Sequence, residues 1–263
     1  MRKDYHIHPT IIQHPERFDA YVQQALAKGI QEICVTDHMP ISVSNAPDRI
    51  PDGMVKNYCS KVRELARRYE GIISVKCGIE VDYHPSAMAE IKAVLDDGEF
   101  DYILGSSHMH LFYGEMEKHT WNEFAHSALE NVLMAVESGL FDAVPHLDMY
   151  RWVFGLPQRF PLIRDEYTAE KHIKLIDQIL TGIGETGMYL EINPHLAERD
   201  NDINRVYPEK CIVEKALEKG VRFCYGSDAH APASVGAMLD QLREDPVYGK
   251  ALAGWEADGR SES

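Results

Sequence analysis

Short apolar segments alternate with amphipathic helical segments about seven times along this chain, and the alternation limits its fold more than any other feature. Strands that alternate with helices predict βα units, whose strands form a parallel sheet. The predicted strands cover residues 4–8, 32–38, 72–81, 102–108, 141–146, 188–193 and 221–230, and the predicted helices cover 15–28, 54–69, 85–97, 121–138, a segment that ends near 186, 208–218 and 233–242. Seven such units predict a slightly irregular α/β barrel, in which the loops after the strands build the active site.

Length and composition fit one such domain. The 263 residues are 44% hydrophobic, which is enough for a large core, and no shift in composition divides the chain. We therefore expect a single domain over 1–263, with a polar tail from about 256. The sequence has no run of about 18 apolar residues, and its first residues lack the apolar segment of a signal peptide. A soluble, cytoplasmic protein without a membrane partner is expected.

The charge of the chain disfavours nucleic acid as a partner. Acidic residues outnumber basic ones by 42 to 27, which gives a formal charge of −15. A nucleic-acid-binding protein usually has a basic face, and this sequence shows no stripe of Lys and Arg, so its field would repel a polyanion. An anionic substrate would then have to be held locally, by metal ions or by a few arginines.

Residues that bind metals stand at or just beyond most of the predicted strand ends. His6 and His8 share one face of the first strand, because successive side chains point to opposite faces, and two imidazoles on one face can bind the same ion. The others are His38, Glu80, His108, His146, Asp228 and His230. Singly, each has a structural explanation, such as a strand-end hydrogen bond or a turn. Together, at one end of a barrel, they predict a metal centre.

These motifs resemble those of the PHP (polymerase and histidinol phosphatase) family, and most closely its histidinol-phosphatase type. The resemblance runs from residue 4 to about 230. Its motifs are His6-x-His8 followed by His14, Asp37-His38, Glu80, Gly105-Ser-Ser-His108, His146 and Gly226-Ser-Asp228-Ala-His230. The resemblance implies a distorted (β/α)7 TIM-like barrel that carries three divalent metal ions (Zn, Mn or Fe).

The resemblance also implies how the ligands divide and what they do. One ion would be held by His6, His8, Glu80 and Asp228; Glu80 would bridge to a second, held also by His108 and His146; the third would be held by His14, His38 and His230. The implied reaction is hydrolysis of a phosphate monoester, L-histidinol phosphate, by a bridging hydroxide, with Glu80, Asp228 and His230 as catalytic residues. Clustered divalent ions suit it, because they activate water and neutralise phosphate oxygens.

Substrate contacts are predicted beside this centre. The candidates are Arg151 in the connection 147–165, Arg199 after the sixth strand, and His110, Asn193 and His195. An arginine can bind phosphate with two parallel hydrogen bonds, although a solvated surface position explains each arginine equally well. Asp37 is predicted to orient the neighbouring His38, and the proline-rich segment 39–53 is predicted to be a loop over the site.

Two segments depart from the family pattern, and they keep other functions open. Glu191-Ile-Asn193-Pro194-His195 stands where Glu-x-Asn is typically followed by Thr or Ser, and Met109-His110-Leu111-Phe112 follows His108. Both lie where the leaving group is expected, so a sugar phosphate or a nucleotide is the alternative substrate. A nucleic-acid-processing module is disfavoured by the acidic charge, and a catalytically silent metal-binding protein by the complete ligand set. The sequence leaves the oligomeric state open.

Overall fold

Seven parallel strands form the centre of the fold. The structure is a computed structural model that describes residues 1–44, 46–108, 111, 120–151 and 169–257. Each strand pairs with the next in chain order. The strands are β1 (Lys3–Ile7), β2 (Glu32–Val35), β3 (Ser74–Asp82), β4 (Tyr102–Ser106), β5 (Ala143–Val144), β6 (Tyr189–Ile192) and β7 (Arg222–Tyr225). Each predicted strand is present; β1 and β3 have about their predicted lengths, whereas the other five are shorter because the polar residues at their ends belong to the loops.

The first and last strands meet at their carboxyl ends. The backbone N–H of His8 donates to the carbonyl oxygen of Ala229 at 2.8 Å, and the N–H of Asp228 donates to the carbonyl oxygen of His6 at 2.7 Å. These bonds bring the sheet close to a complete barrel. The prediction of a seven-stranded α/β barrel is confirmed.

A buried carboxylate fixes the same seam. Asp4 accepts hydrogen bonds from the backbone N–H groups of Ser227 and Gly236, both at 2.9 Å. Asp4 lies in β1, whereas its two donors follow β7. The side chain therefore ties the loop that carries Asp228 to the strand that carries His6.

Helices cover the outside of the sheet. They are α1 (Phe18–Ala27), α2 (Val55–Arg68), α3 (Met88–Asp97), α4 (Trp121–Ser138), α5 (Ile173–Thr186), α6 (His195–Asp200), α7 (Lys210–Glu218), α8 (Leu239–Glu244) and α9 (Tyr248–Ala257). Helix α4 has the predicted bounds, because Thr120 and Glu123 form a capping box before it and Gly139 ends it with a φ of 66°. No helix among the described ranges is long and apolar enough to cross a bilayer.

Helix α9 lies beyond 233–242, the last helix that the sequence predicts. Trp255 is 4% exposed, and its ring packs edge-on against Tyr5 and Tyr189, with centroids 4.8 and 5.3 Å away. The ammonium of Lys3 lies 4.5 Å from the same ring. The helix therefore belongs to the core. The predicted polar tail falls largely in 258–263, outside the described residues.

Candidate metal centre

The predicted metal ligands gather where the strands end on one side of the barrel. Seven of them are buried, namely His6, His8, His38, Glu80, His108, His146 and Asp228. His6 and Glu80 lie within β1 and β3, and the others follow the ends of β1, β2, β4, β5 and β7. Because the strands are parallel, their carboxyl ends open on one face, and residues far apart in sequence meet there.

Glu80 stands at the centre of this group, and its two carboxylate oxygens face different imidazoles. Oε1 lies 2.9 Å from Nε2 of His146 and 3.3 Å from Nε2 of His108. Oε2 faces three other rings at 2.9, 3.4 and 3.5 Å, those of His38, His6 and His8. A carboxylate in this position can bridge two cations separated by about 3.5–4 Å.

The buried polar atoms of this group fit metal ions better than a hydrogen-bonded core. Within the described part of the chain, hydrogen bonds are absent from Glu80 Oε2, His6 Nε2, His38 Nδ1 and both ring nitrogens of His8. Buried polar atoms normally have such partners. Donor atoms also lie within 4.8 Å of one another in overlapping groups: His6, His8 and Asp228; His6, Glu80 and His146; His38, Glu80 and His108; His8, His38 and His230; His195, Asp228 and His230. Mixed imidazole and carboxylate donors suit Zn, Mn or Fe.

His14 lies outside these groups. Its side chain is 53% exposed, and Nδ1 faces the Glu16 carboxylate at 3.4 Å. His38 and His230, the two residues predicted to share an ion with His14, instead form a group with His8. The predicted role of His14 as a ligand remains a prediction that its contacts in this structure do not support.

Asp37 fixes the loop after β1 and does not hydrogen-bond to His38. Its two oxygens accept hydrogen bonds from the backbone N–H groups of Thr10 and Ile11 at 2.9 and 2.8 Å. Burial raises the pKa of Asp37 to about 7. The Nδ1 atom of His38, by contrast, has no hydrogen bond. The prediction that Asp37 orients His38 is therefore corrected.

Two buried carboxylates that the sequence analysis did not assign contact the Nδ1 atoms of candidate ligand imidazoles. His6 donates from Nδ1 to Glu191 Oε1 at 2.7 Å, and His108 makes a short contact from Nδ1 to Asp82. In each ring this contact leaves Nε2 directed at Glu80. Partners of this kind set the tautomer and the ring orientation of metal ligands. The sequence contained a signal for Asp82, because it lies two residues after Glu80 and therefore points to the same face of the strand.

Burial and neighbouring charges act in opposite directions on the pKa values of the groups in this centre. Burial disfavours ionisation of Glu80, yet the imidazoles of His108 and His6 hold its pKa well below the usual range. His6 does the same for the buried Asp228. Burial lowers the pKa of His8 well below its usual value. Burial also lowers the pKa of His6, but the neighbouring carboxylates outweigh it and raise that pKa well above its usual value. Because ionised carboxylates and neutral imidazoles are the forms that bind metals, an ion that binds His6 has to displace a proton.

A cavity of about 300 Å³ opens on this centre. Its walls are His38, Ala46, Pro47, Asp48, His108, Met149, His195, Tyr207, Asp228 and His230. The segment 39–53 thus lies over the site, as predicted. Its Asp48 carboxylate comes to 3.7 Å from Nε2 of His230 and 3.9 Å from Nε2 of His38, a contact that the sequence did not suggest.

The two predicted phosphate-binding arginines have protein partners. Arg151 donates from Nη1 to Asp148 Oδ2 at 2.9 Å and to the Val206 carbonyl at 3.0 Å, and from Nη2 to the Asn204 carbonyl at 2.8 Å. Its side chain is 12% exposed. The guanidinium therefore joins two loops, and its predicted contact with phosphate remains a prediction that these contacts do not support.

Arg199 lies away from the cavity walls, on the short helix α6. Its Nε donates to the neighbouring Asp200 carboxylate at 3.0 Å, and its side chain is 40% exposed. This ion pair with an adjacent residue agrees with the alternative interpretation, a solvated surface position. Its predicted contact with phosphate likewise remains a prediction.

The other predicted substrate contacts divide into three cases. Asn193 is fully buried and donates from Nδ2 to Glu191 at 2.9 Å, while its Oδ1 accepts from the His195 N–H at 2.9 Å, so it supports the site from within the protein. His195 lines the cavity, with its side chain 37% exposed. His110 lies outside the described residues.

Comparisons with known proteins agree with this geometry. The model of the PHP domain family matches residues 4–195. The probable histidinol-phosphatase of Deinococcus radiodurans is 29% identical over 252 residues, covering 92% of this chain and 91% of that protein. The histidinol-phosphatase of Bacillus subtilis is 29% identical over 269 residues, covering 92% of this chain and 98% of that protein.

Solved structures share the barrel. The crystal structure of histidinol phosphate phosphatase from Lactococcus lactis, complexed with zinc, L-histidinol and phosphate, has a TM-score of 0.73 at 20% identity, over 92% of this chain and 93% of that one. At this identity the likeness concerns the fold. The family model covers more than half of the sequence and includes the strands that carry His6, Glu80 and His108. On this evidence the chain belongs to the PHP domain family.

Proposed function

We propose that this chain is a metal-dependent phosphatase that hydrolyses L-histidinol phosphate to L-histidinol and phosphate. The position of Glu80 carries the proposal, because its two oxygens face separate groups of imidazoles within a buried cluster. Divalent ions bound there would supply activated water and positive charge to neutralise phosphate oxygens. Two relatives named histidinol-phosphatase support the choice of substrate.

The proposed cofactors are three divalent ions, Zn, Mn or Fe. The overlapping donor groups support more than one ion, since Glu80 and His6 each belong to two groups. The group of His8, His38 and His230 provides a place for a third ion at the cavity wall. Ions in this cluster would replace the hydrogen bonds that the buried ring nitrogens lack.

A residue at the cavity wall would handle the proton of the leaving group. His195 lies with Nδ1 3.0 Å from the carbonyl oxygen of Asp228, so that Nδ1–H donates and Nε2 is left for the substrate. In hydrolysis, the oxygen of water forms a bond to phosphorus while the ester P–O bond breaks. The departing oxygen then needs a proton, which an imidazolium at this position can supply.

Phosphate release from L-histidinol phosphate, compared with a panel of sugar phosphates and nucleotides, tests the proposal. The enzyme is loaded separately with Zn, Mn or Fe, and its metals are counted by elemental analysis. We expect a clear preference for L-histidinol phosphate and about three ions per chain. Preference for another monoester would support the proposed hydrolysis but assign a different substrate. That result would agree with the departure of segment 193–195 from the family pattern.

Matched variants connect the activity to this site. His8→Ala and Asp228→Ala remove buried donors, so both are expected to lose activity and metal. His126→Ala is the control, because His126 is 52% exposed and pairs with Glu130 on α4. Full activity in both His8→Ala and Asp228→Ala would exclude the proposed centre.

A further inference from the structure

Tyr207 combines deep burial with an unused hydroxyl. The side chain is 2% exposed, and its hydroxyl forms no hydrogen bond with any part of the protein that the structure describes. The hydroxyls of three other buried tyrosines, Tyr58, Tyr225 and Tyr248, donate to backbone carbonyl groups at 2.8, 2.7 and 3.1 Å, whereas that of Tyr102 likewise has no hydrogen-bond partner among the described residues. A buried hydroxyl without a partner costs free energy, so its retention needs a reason.

Neighbouring residues hold both the backbone and the ring of Tyr207 in place. Its backbone pairs with Asn193 in both directions, each hydrogen bond being 2.8 Å long. Arg151 lies over the ring at 5.8 Å from the centroid and is itself fixed by the preceding residue, Val206. The tyrosine is thus locked between the end of β6 and a buried guanidinium.

Tyr207 is one of the residues that line the cavity of the metal centre. The same walls include Asp228, His195 and His230. Burial, together with the charge of Asp148, raises the pKa of Tyr207, so the phenol keeps its proton and is a neutral donor. A neutral donor beside cations suits an oxygen that carries negative charge.

We propose that the hydroxyl of Tyr207 is a substrate-binding group that donates a hydrogen bond to an oxygen of the phosphoester in this cavity. The inference rests on the proposed function and assigns a further residue to it. Two oxygens share the required chemistry, one on the phosphoryl group and one that joins it to the leaving group. Inorganic phosphate and L-histidinol, used as separate ligands, distinguish them.

The test compares Tyr207→Phe with Tyr248→Phe in the metal-loaded protein. Phenylalanine at 207 removes a hydroxyl that has no partner, so thermal stability and metal content should stay unchanged, while binding of inorganic phosphate or of L-histidinol weakens about tenfold. KM should rise by a similar factor with little change in kcat. Tyr248→Phe removes a hydrogen bond to Pro208 outside the cavity walls, so it should lower the melting temperature and leave both ligands' affinities unchanged.

The outcomes separate this inference from the proposed function. If the wild-type protein releases phosphate but Tyr207→Phe binds both ligands with wild-type affinity, the tyrosine is not a binding group and the phosphatase stands. If the loaded wild-type protein hydrolyses no monoester, the proposed function fails, and the titrations with phosphate and L-histidinol still decide the role of Tyr207. Loss of phosphate affinity alone assigns the phosphoryl oxygen; loss of L-histidinol affinity alone assigns the ester oxygen.

Discussion

Glu191 Oε1 lies 2.7 Å from Nδ1 of His6, and this buried contact fixes which ring nitrogen of His6 carries the proton. The other oxygen of Glu191 accepts from the backbone N–H of His146 at 3.0 Å and from Nδ2 of Asn193 at 2.9 Å. One carboxylate thus positions a ligand from β1, the segment after β5 and the end of β6.

Glu191→Gln should weaken metal binding without a large change in shape. In this variant the glutamine oxygen would keep the hydrogen bonds from the His146 N–H and from Asn193 Nδ2. The NH₂ group of the glutamine would then face His6. Nδ1 of His6 would then accept, and the proton would move to Nε2, which cannot bind a metal while protonated. We expect metal affinity to fall about 10–100-fold, as measured by competition with a chelator. Glu198→Gln, on the partly exposed α6, is the control, and equal affinities in the two variants would contradict the expected role.

Gly226→Ala should damage the same contact sterically. A Cβ atom at Gly226 would overlap both Glu191 Oε1 and Cβ of His6. These groups are buried and cannot move freely, so we expect lower stability, by about 1–3 kcal/mol, and reduced metal content. Denaturant unfolding and elemental analysis measure the two effects. Gly184→Ala in helix α5 meets no atom within 4 Å and should be neutral or stabilising; similar losses in both variants would point to a general effect.

Arg151→Met distinguishes a loop-joining arginine from a phosphate-binding one. The substitution leaves the carboxylate of Asp148, which is fully buried, without its cationic partner. The expected loss of unfolding free energy is about 3–5 kcal/mol, measured with urea, while KM of the folded enzyme changes little. Arg199→Met removes an exposed pair and should cost about 0–1 kcal/mol. A large rise in KM for Arg151→Met without loss of stability would restore the phosphate contact.

Asp101 should make stability depend on acid pH. Burial opposes its ionisation, but Arg63 contacts both of its oxygens at 2.6 and 2.8 Å and the Cys77 N–H donates at 2.8 Å, so its pKa lies below the ordinary value. Because the folded pKa lies below the unfolded one, the stabilisation is present above about pH 4 and is lost as the pH falls through the folded pKa.

The Asp101→Asn variant tests this effect. At pH 7 we expect it to be less stable than the wild type by about 1–2 kcal/mol, and the difference should shrink when unfolding is repeated at pH 3. A difference independent of pH would show that the ionised carboxylate is not the cause.

The fold was predictable where the signals are local. The bounds of α4 follow from Thr120, Glu123 and Gly139, which cap the helix at its two ends. Helix α9 was missed although its buried residues, Tyr248, Ala251, Leu252 and Trp255, have helical spacing. Its role in the core depends on Trp255 meeting Tyr5 at the other end of the chain, which no local pattern indicates.

The candidate metal ligands were also predictable from local signals. The contacts that support them were not. His6 and His8 share a strand face through their spacing alone. Glu191 stands 185 residues from His6, and no property of either residue indicates that the two touch. Arg151 similarly finds its carbonyl partners 53 and 55 residues further along the chain. Sequence identified the chemical types, whereas the barrel determines which of them meet.

The seam between β1 and β7 sets an order of events during biosynthesis. A growing polypeptide displays His6 and His8 early, but Asp228 and His230 emerge only after nearly the whole barrel has been made. Domains are synthesised from the amino terminus, so the proposed metal centre can be complete only after β7 has been translated. A messenger truncated before that strand would yield a chain that keeps most of its imidazoles and lacks the carboxylate of Asp228.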